Sequence, residues 1–120
     1  MKELNDFNSA DSEDNSKDSE DEEDLRAHIF AAANNLTALK SIAQTDKSKL
    51  LNKDRNGWTP LHEAVRAGDI DIINYLLGEE VGSDLYAVTY NELNVFDLAE
   101  DNNEIYELLT SFEVRIFVII

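Results

Sequence analysis

The chain has 120 residues, 26 of them acidic and ten basic, giving a formal net charge of −16 with no cysteine. Disulfides, thiolate catalysis and cysteine-ligated zinc are therefore excluded, and the acidic balance disfavours nonspecific binding to nucleic acid or to anionic membranes. No span approaches the roughly 20 apolar residues of a membrane helix, and the opening lacks the apolar core of a secretory signal, so the expectation is a soluble protein of the cytoplasm or nucleus.

Residues 1–24 hold 11 acids and two bases with almost no apolar side chains, a composition that predicts a self-repelling, disordered acidic tail. Within it, Ser19 stands before Glu20, Asp21 and Glu22, a setting that acid-directed kinases favour. The texture changes at Leu25. From there on the chain repeats itself: residues 27–43 lie over residues 61–77 with a shift of 34 and no gap, setting His28 on His62 and Leu39 on Ile73. A third copy starts 35 residues after the second, with Phe96 on Leu61, Ala99 on Ala64 and Asn103 on Gly68. Beyond that point two alignments compete, one placing Ile105 on Ile70 and the other losing two residues to place it on Ile72.

Each copy reads as two short helices with a tight break. In the middle copy Thr59 supplies a capping oxygen, and Pro60 suits a first turn where its missing N–H has no helical partner. Leu61, Ala64 and Val65 form an apolar stripe at helical spacing, and Gly68 can take the left-handed conformation that stops the helix. Ile70, Ile72, Ile73, Leu76 and Leu77 make the second helix, closed by Gly78 or Gly82. Such pairs cannot bury both faces alone, so stacking is required. Asp54 to Gly57 is a turn signal between copies. The last residues, FEVRIFVII, form an apolar run whose expected role is a cap on the last repeat across residues 110–120, with a dimer contact or a cut from a longer protein as the alternatives.

The stretch NGWTPLHEAVRAGD, Asn56 to Asp69, also tests for metal chemistry. A zinc-binding H-E-x-x-H helix needs a second imidazole four residues after His62, and Arg66 stands there instead. A guanidinium cannot ligate a cation. No serine sits in a nucleophile elbow, no glycine-rich phosphate loop is present, and paired acids are expected by chance at this density. The expectation is a chain that is not an enzyme and takes no metal or cofactor.

Asp54 to Gly68 resembles an ankyrin repeat, whose signature is G-x-T-P-L-H-x-A; the flanking copies are degenerate, with Leu25-Arg26-Ala27 and Asn94-Val95-Phe96 in place of the Thr-Pro-Leu block. The resemblance covers residues 25–109 and implies an all-α solenoid of about three helix-turn-helix units with short hairpin-like loops. It further implies that His62 is a framework residue bonded to Thr59 and neighbouring backbone, with Glu63 solvated. The function implied is a noncatalytic module that binds a protein partner through inter-repeat loops and first helices. Carried over position by position, the partner-binding residues are Lys53, Arg55, Asn56, Trp58, Arg66 and Ala67, then Val88, Tyr90, Asn91, Leu93 and Asp101. An alternative is the regulatory or targeting part of a larger enzyme, such as an ankyrin-fused 2-oxoglutarate-dependent prolyl hydroxylase. No nucleic acid or membrane is expected as partner, and the chain is expected to be a monomer or a weak homodimer through the C-terminal run. Lys47, Lys49, Lys53 and Arg55 also make a basic patch over which the acidic tail could fold.

Overall fold

The computed structural model describes residues 24–119; Ser19 and the rest of the expected acidic tail up to residue 23 lie outside the described residues. Among the described residues six α-helices form three pairs: α1 (Arg26–Ala32) with α2 (Leu36–Asp46), α3 (Pro60–Ala67) with α4 (Ile70–Leu77), and α5 (Val95–Leu98) with α6 (Asn103–Ile119). A single 3-10 turn, Lys47–Leu51, prolongs α2, and no strand occurs among the described residues. The first helix of each pair carries the stacking, α1 against α3 and α3 against α5, while each also packs on its own second helix. This is the expected all-α arrangement of stacked helix pairs.

Small side chains make that stacking close. Ala27, Ala31, Ala64 and Ala99 are buried between first helices, and Leu39, Ile72, Ile73, Leu76, Ile105 and Leu109 fill the layer beneath the second helices. Each large aliphatic side chain buried in this way contributes about 1.5–3 kcal/mol. Helix ends follow from local chemistry. Thr59 Oγ1 accepts the His62 N–H at 3.3 Å, Pro60 opens α3, and Gly68 closes it at φ +78° with its N–H turned back to the Ala64 and Val65 carbonyls. In the first pair Asn34 makes the equivalent break at φ 60°, a conformation asparagine tolerates better than most side chains.

The third pair departs from this pattern. Its first helix has only four residues, and Asn102 caps α6 by accepting the Ile105 N–H at 3.2 Å. Asn102 therefore occupies the place of Asp69, and Ile105 that of Ile72, both nearly inaccessible at 1% and 0% exposure. Of the two alignments, the one that loses two residues is realised, and the loss falls on α5. Asn103 consequently begins α6 and does not serve as the break that Gly68 provides. The C-terminal run is no separate element: α6 continues without interruption through Ile119, and Phe112 joins the core.

Candidate interaction face

Two loop tips project between the pairs. In the first, Asp54 Oδ1 accepts the N–H groups of Asn56 and Trp58 at 2.8 and 2.9 Å, and the Asp54 N–H donates to the Trp58 carbonyl at 2.8 Å. The second repeats the design with Thr89 in the aspartate's place, its hydroxyl accepting from Asn91 and Leu93 at 3.2 and 3.1 Å. Gly57 and Glu92 hold equivalent left-handed corners, at φ 81° and 67°. The glycine is doubly required, since a β-carbon there would lie 2.6 Å from the Tyr90 nitrogen. Tyr90 donates its N–H to the Asn56 carbonyl at 3.1 Å, joining the two tips.

The histidines bind one pair to the next. Thr59 donates its N–H to His62 Nδ1 at 3.2 Å, which fixes the ring's proton on Nε2. That Nε2–H reaches the Leu93 carbonyl at 3.2 Å, at the base of the following tip. His28 does the same one pair earlier, donating from Nε2 to the Trp58 carbonyl at 2.8 Å. Burial is the main cause that lowers the His62 pKa, outweighing its backbone hydrogen bonds, so the ring is neutral in the fold. Both His62 nitrogens are occupied by this framework. The flanking copies modify it. Leu25 provides no side-chain cap to α1, and His28 Nδ1 is buried without a partner. In the third copy Asp97 replaces the histidine and forms a reciprocal cap with Asn94, leaving no group to reach onward.

On this frame lie the residues the sequence singled out. Lys53 sits over the Tyr90 ring at 5.9 Å and Arg66 over the Trp58 ring at 6.0 Å; the Trp58 ring also meets His62 at 5.8 Å. Lys53, Arg55, Asn56, Arg66, Tyr90 and Asn91 are exposed, as are Ala67, Val88 and Asp101, while Trp58 and Leu93 are half-buried. Tyr90 is 67% exposed, the largest value among the exposed large hydrophobic side chains. The structure thus brings Lys53, Asn56 and Tyr90 together across two tips and Trp58 with Arg66 beside them. Leu93 contributes chiefly its backbone. Glu63, expected to be solvated, is half-buried because its carboxylate accepts from Arg66 at 2.9 Å and so positions the guanidinium that covers Trp58.

Two features escaped the sequence. Leu51 is exposed and lines a 270 Å³ cleft with Lys53, Thr59, Gly82, Ser83, Asp84 and Ala87, while its neighbour Leu50 is buried. The acids within the basic patch are also held by local hydrogen bonds, Asp46 at the surface and Asp54 half-buried. Asp46 accepts from the Ser48 N–H and hydroxyl, Asp54 accepts within its own turn, and Lys49 pairs with Asp24 at 3.2 Å.

A stack of helix pairs joined by projecting tips, with a framework histidine after Thr-Pro-Leu, defines a helical repeat solenoid. The chain belongs to the ankyrin repeat family, whose model "Ankyrin repeats (3 copies)" matches residues 3–89. It is similar to the human "Ankyrin repeat domain-containing protein 49", with 32% identity over 59 residues that make up 49% of this chain and 24% of that protein. The chain thus spans about a quarter of the length of this relative. The fold is shared with a chain in the yeast "Crystal Structure of the Yeast Ribosomal Protein Rps3 in Complex with its Chaperone Yar1". There the TM-score is 0.59 at 22% identity, over 74% of this chain and 64% of that one. Ankyrin repeats are protein-interaction modules. Among the described residues no helix is long and apolar enough to cross a membrane.

Proposed function

We propose that this chain is a noncatalytic recognition module that binds a protein partner with the two loop tips and the exposed side of α3. The observation that carries this reading is the pairing of aromatic rings with exposed cationic side chains, the exposed Tyr90 with Lys53 and the half-buried Trp58 with Arg66, on a hydrogen-bonded frame. Tryptophan, tyrosine and arginine are the residues that most often dominate binding energy, and rings held by neighbouring cations lose little freedom when a partner arrives. Lys53, Arg55, Asn56, Trp58, Arg66, Tyr90, Asn91 and Leu93 form the proposed contact set. A net charge of −16 over the whole chain makes nucleic acid and anionic membranes poor partners for it. The ribosomal protein and chaperone of the structural neighbour show this fold in a protein complex and support a protein as the partner class here.

Trp58 packs on His62, so its removal mixes folding with binding. Tyr90 and Arg55 separate the two. Affinity capture with the wild-type chain beside Tyr90→Ala and Arg55→Ala, each melted in parallel, tests the reading. Proteins held by the wild type and lost by variants of unchanged melting temperature support it. An identical captured set for all three chains refutes it.

A further inference from the structure

The cleft that adjoins the proposed contact face narrows the kind of partner that face can hold. The chain leading into each tip forms it, with the apolar Leu51 and Ala87 and the charged Lys53 and Asp84 among its lining. Leu51 is 43% exposed, whereas Leu50 beside it is fully buried. Gly82, also part of the lining, turns at φ 70°, and a β-carbon there would meet nothing within 4 Å, so the approach is open. Small-molecule sites run to about 300–1,000 Å³, and a cleft of 270 Å³ suits instead one side chain of a polypeptide.

Charge is divided sharply along this part of the chain. Residues 47–66 hold five cations and two acids, whereas residues 67–114 hold 12 acids and no cation. Both acids of the first segment are committed: Asp54 accepts two N–H groups of its turn, and Glu63 pairs with Arg66. Of the cations, Lys49 is paired with Asp24, while Lys53 and Arg55 are exposed on the first tip. Lys53 belongs to the cleft and to the contact face at once, because its ammonium lies 5.9 Å from the centre of the Tyr90 ring. Given the recognition reading above, on which this rests, we infer that the partner presents a short acidic segment. An aliphatic side chain of that segment enters the cleft against Leu51 and Ala87, and carboxylates beside it meet Lys53 and Arg55. Asp84 is the one acid of the lining and repels those carboxylates, so the anionic end lies over Lys53. The 12 acids of residues 67–114 repel a broader anionic surface, which keeps the charged part of the partner short and confined to the first tip.

A displayed library of random dodecapeptides, selected on the full chain, supplies the test. Selected peptides are expected to place leucine, isoleucine or valine beside aspartate or glutamate. Synthetic copies should shift the amide signals of residues 51–53 and 82–87 in the wild-type chain. They should bind Leu51→Asp and Lys53→Glu about tenfold or more weakly, a difference of about 1.4 kcal/mol or more, with each variant melted in parallel; where a variant melts lower, the amide shifts of the wild type decide. No selected peptide, a pool rich in lysine and arginine, or shifts that leave residues 82–87 untouched overturns the inference. Peptides that need Tyr90 but ignore Leu51→Asp overturn it as well and leave the recognition reading standing. Affinity capture judges that reading separately, so the two failures are told apart.

Discussion

Replacing His62 by leucine keeps a side chain of similar volume in a fully buried site and deletes both imidazole bonds. The Thr59 N–H then faces the interior without an acceptor, at a cost of about 1–3 kcal/mol for a buried donor. The Leu93 carbonyl suffers less, because it still accepts the Thr89 N–H at 2.9 Å; losing the imidazole there costs the net worth of one hydrogen bond, about 0.5–1.5 kcal/mol. Together the substitution removes about 2–4 kcal/mol. Small domains hold only about 5–15 kcal/mol in all, so the variant folds with little reserve. With a urea slope of about 1–3 kcal/mol per M, the midpoint should fall by roughly 0.7–4 M. Trp58 is the chain's single tryptophan and lies 5.8 Å from the substituted ring, which makes its fluorescence a local reporter of the transition. A midpoint shift too small to correspond to about 1 kcal/mol at unchanged slope would show that the imidazole holds nothing together, and the framework argument would fail.

Further outcomes follow from the same geometry. Because burial lowers the His62 pKa, the unfolded chain takes up a proton from about pH 6.5 downward while the folded chain resists it, so stability contributed by this site declines as pH falls through that range. The stability gap between wild type and His62→Leu should narrow between about pH 7.5 and about pH 5.5; a constant gap in urea titrations contradicts the assignment. Glu92→Gly relieves a left-handed corner and should add about 0.5–1 kcal/mol, whereas Gly57→Ala at the equivalent corner should cost about 2 kcal/mol or more through strain and the clash with Tyr90. Thermal melts compare the two, and equal effects at both corners would refute the reasoning. Ending the chain after Leu109 removes the buried Phe112 and should cost about 1.5–3 kcal/mol, in keeping with the proposed capping role of the C-terminal run; an unchanged melting temperature argues against that role.

The middle repeat was legible because its punctuation is chemical. Thr59, Pro60 and Gly68 each specify one backbone conformation, and the structure uses all three as their side chains dictate. The third repeat was not, because its boundary is set by Asn102, one of two adjacent asparagines, either of which can cap a helix. Burial of Ile105 decided between them, and burial is a property of the assembled stack. The pairing of Lys53 with Tyr90 joins residues 37 positions apart, and no local pattern encodes it. Resemblance to the family pointed to Lys53, Arg55, Asn56, Arg66, Tyr90 and Asn91, which are exposed, and to Trp58 and Leu93, which are half-buried, whereas the contact between Glu63, Arg66 and Trp58 emerged only from the packing. The continuation of α6 into the apolar run was similarly hidden, since β-branched residues fit strand and buried helix alike.

The inter-repeat imidazole bond has a direction, and that makes the three copies unequal as building blocks. The first copy hands a proton forward through His28; the third, with Asp97 in the histidine's place, only offers its Leu93 oxygen to the unit before it. Only the middle copy does both. A longer array would therefore be obtained by duplicating residues 54–88, whose extra copy could dock at each seam with the same bond, whereas duplicating the third copy would leave a joint with nothing to fasten it.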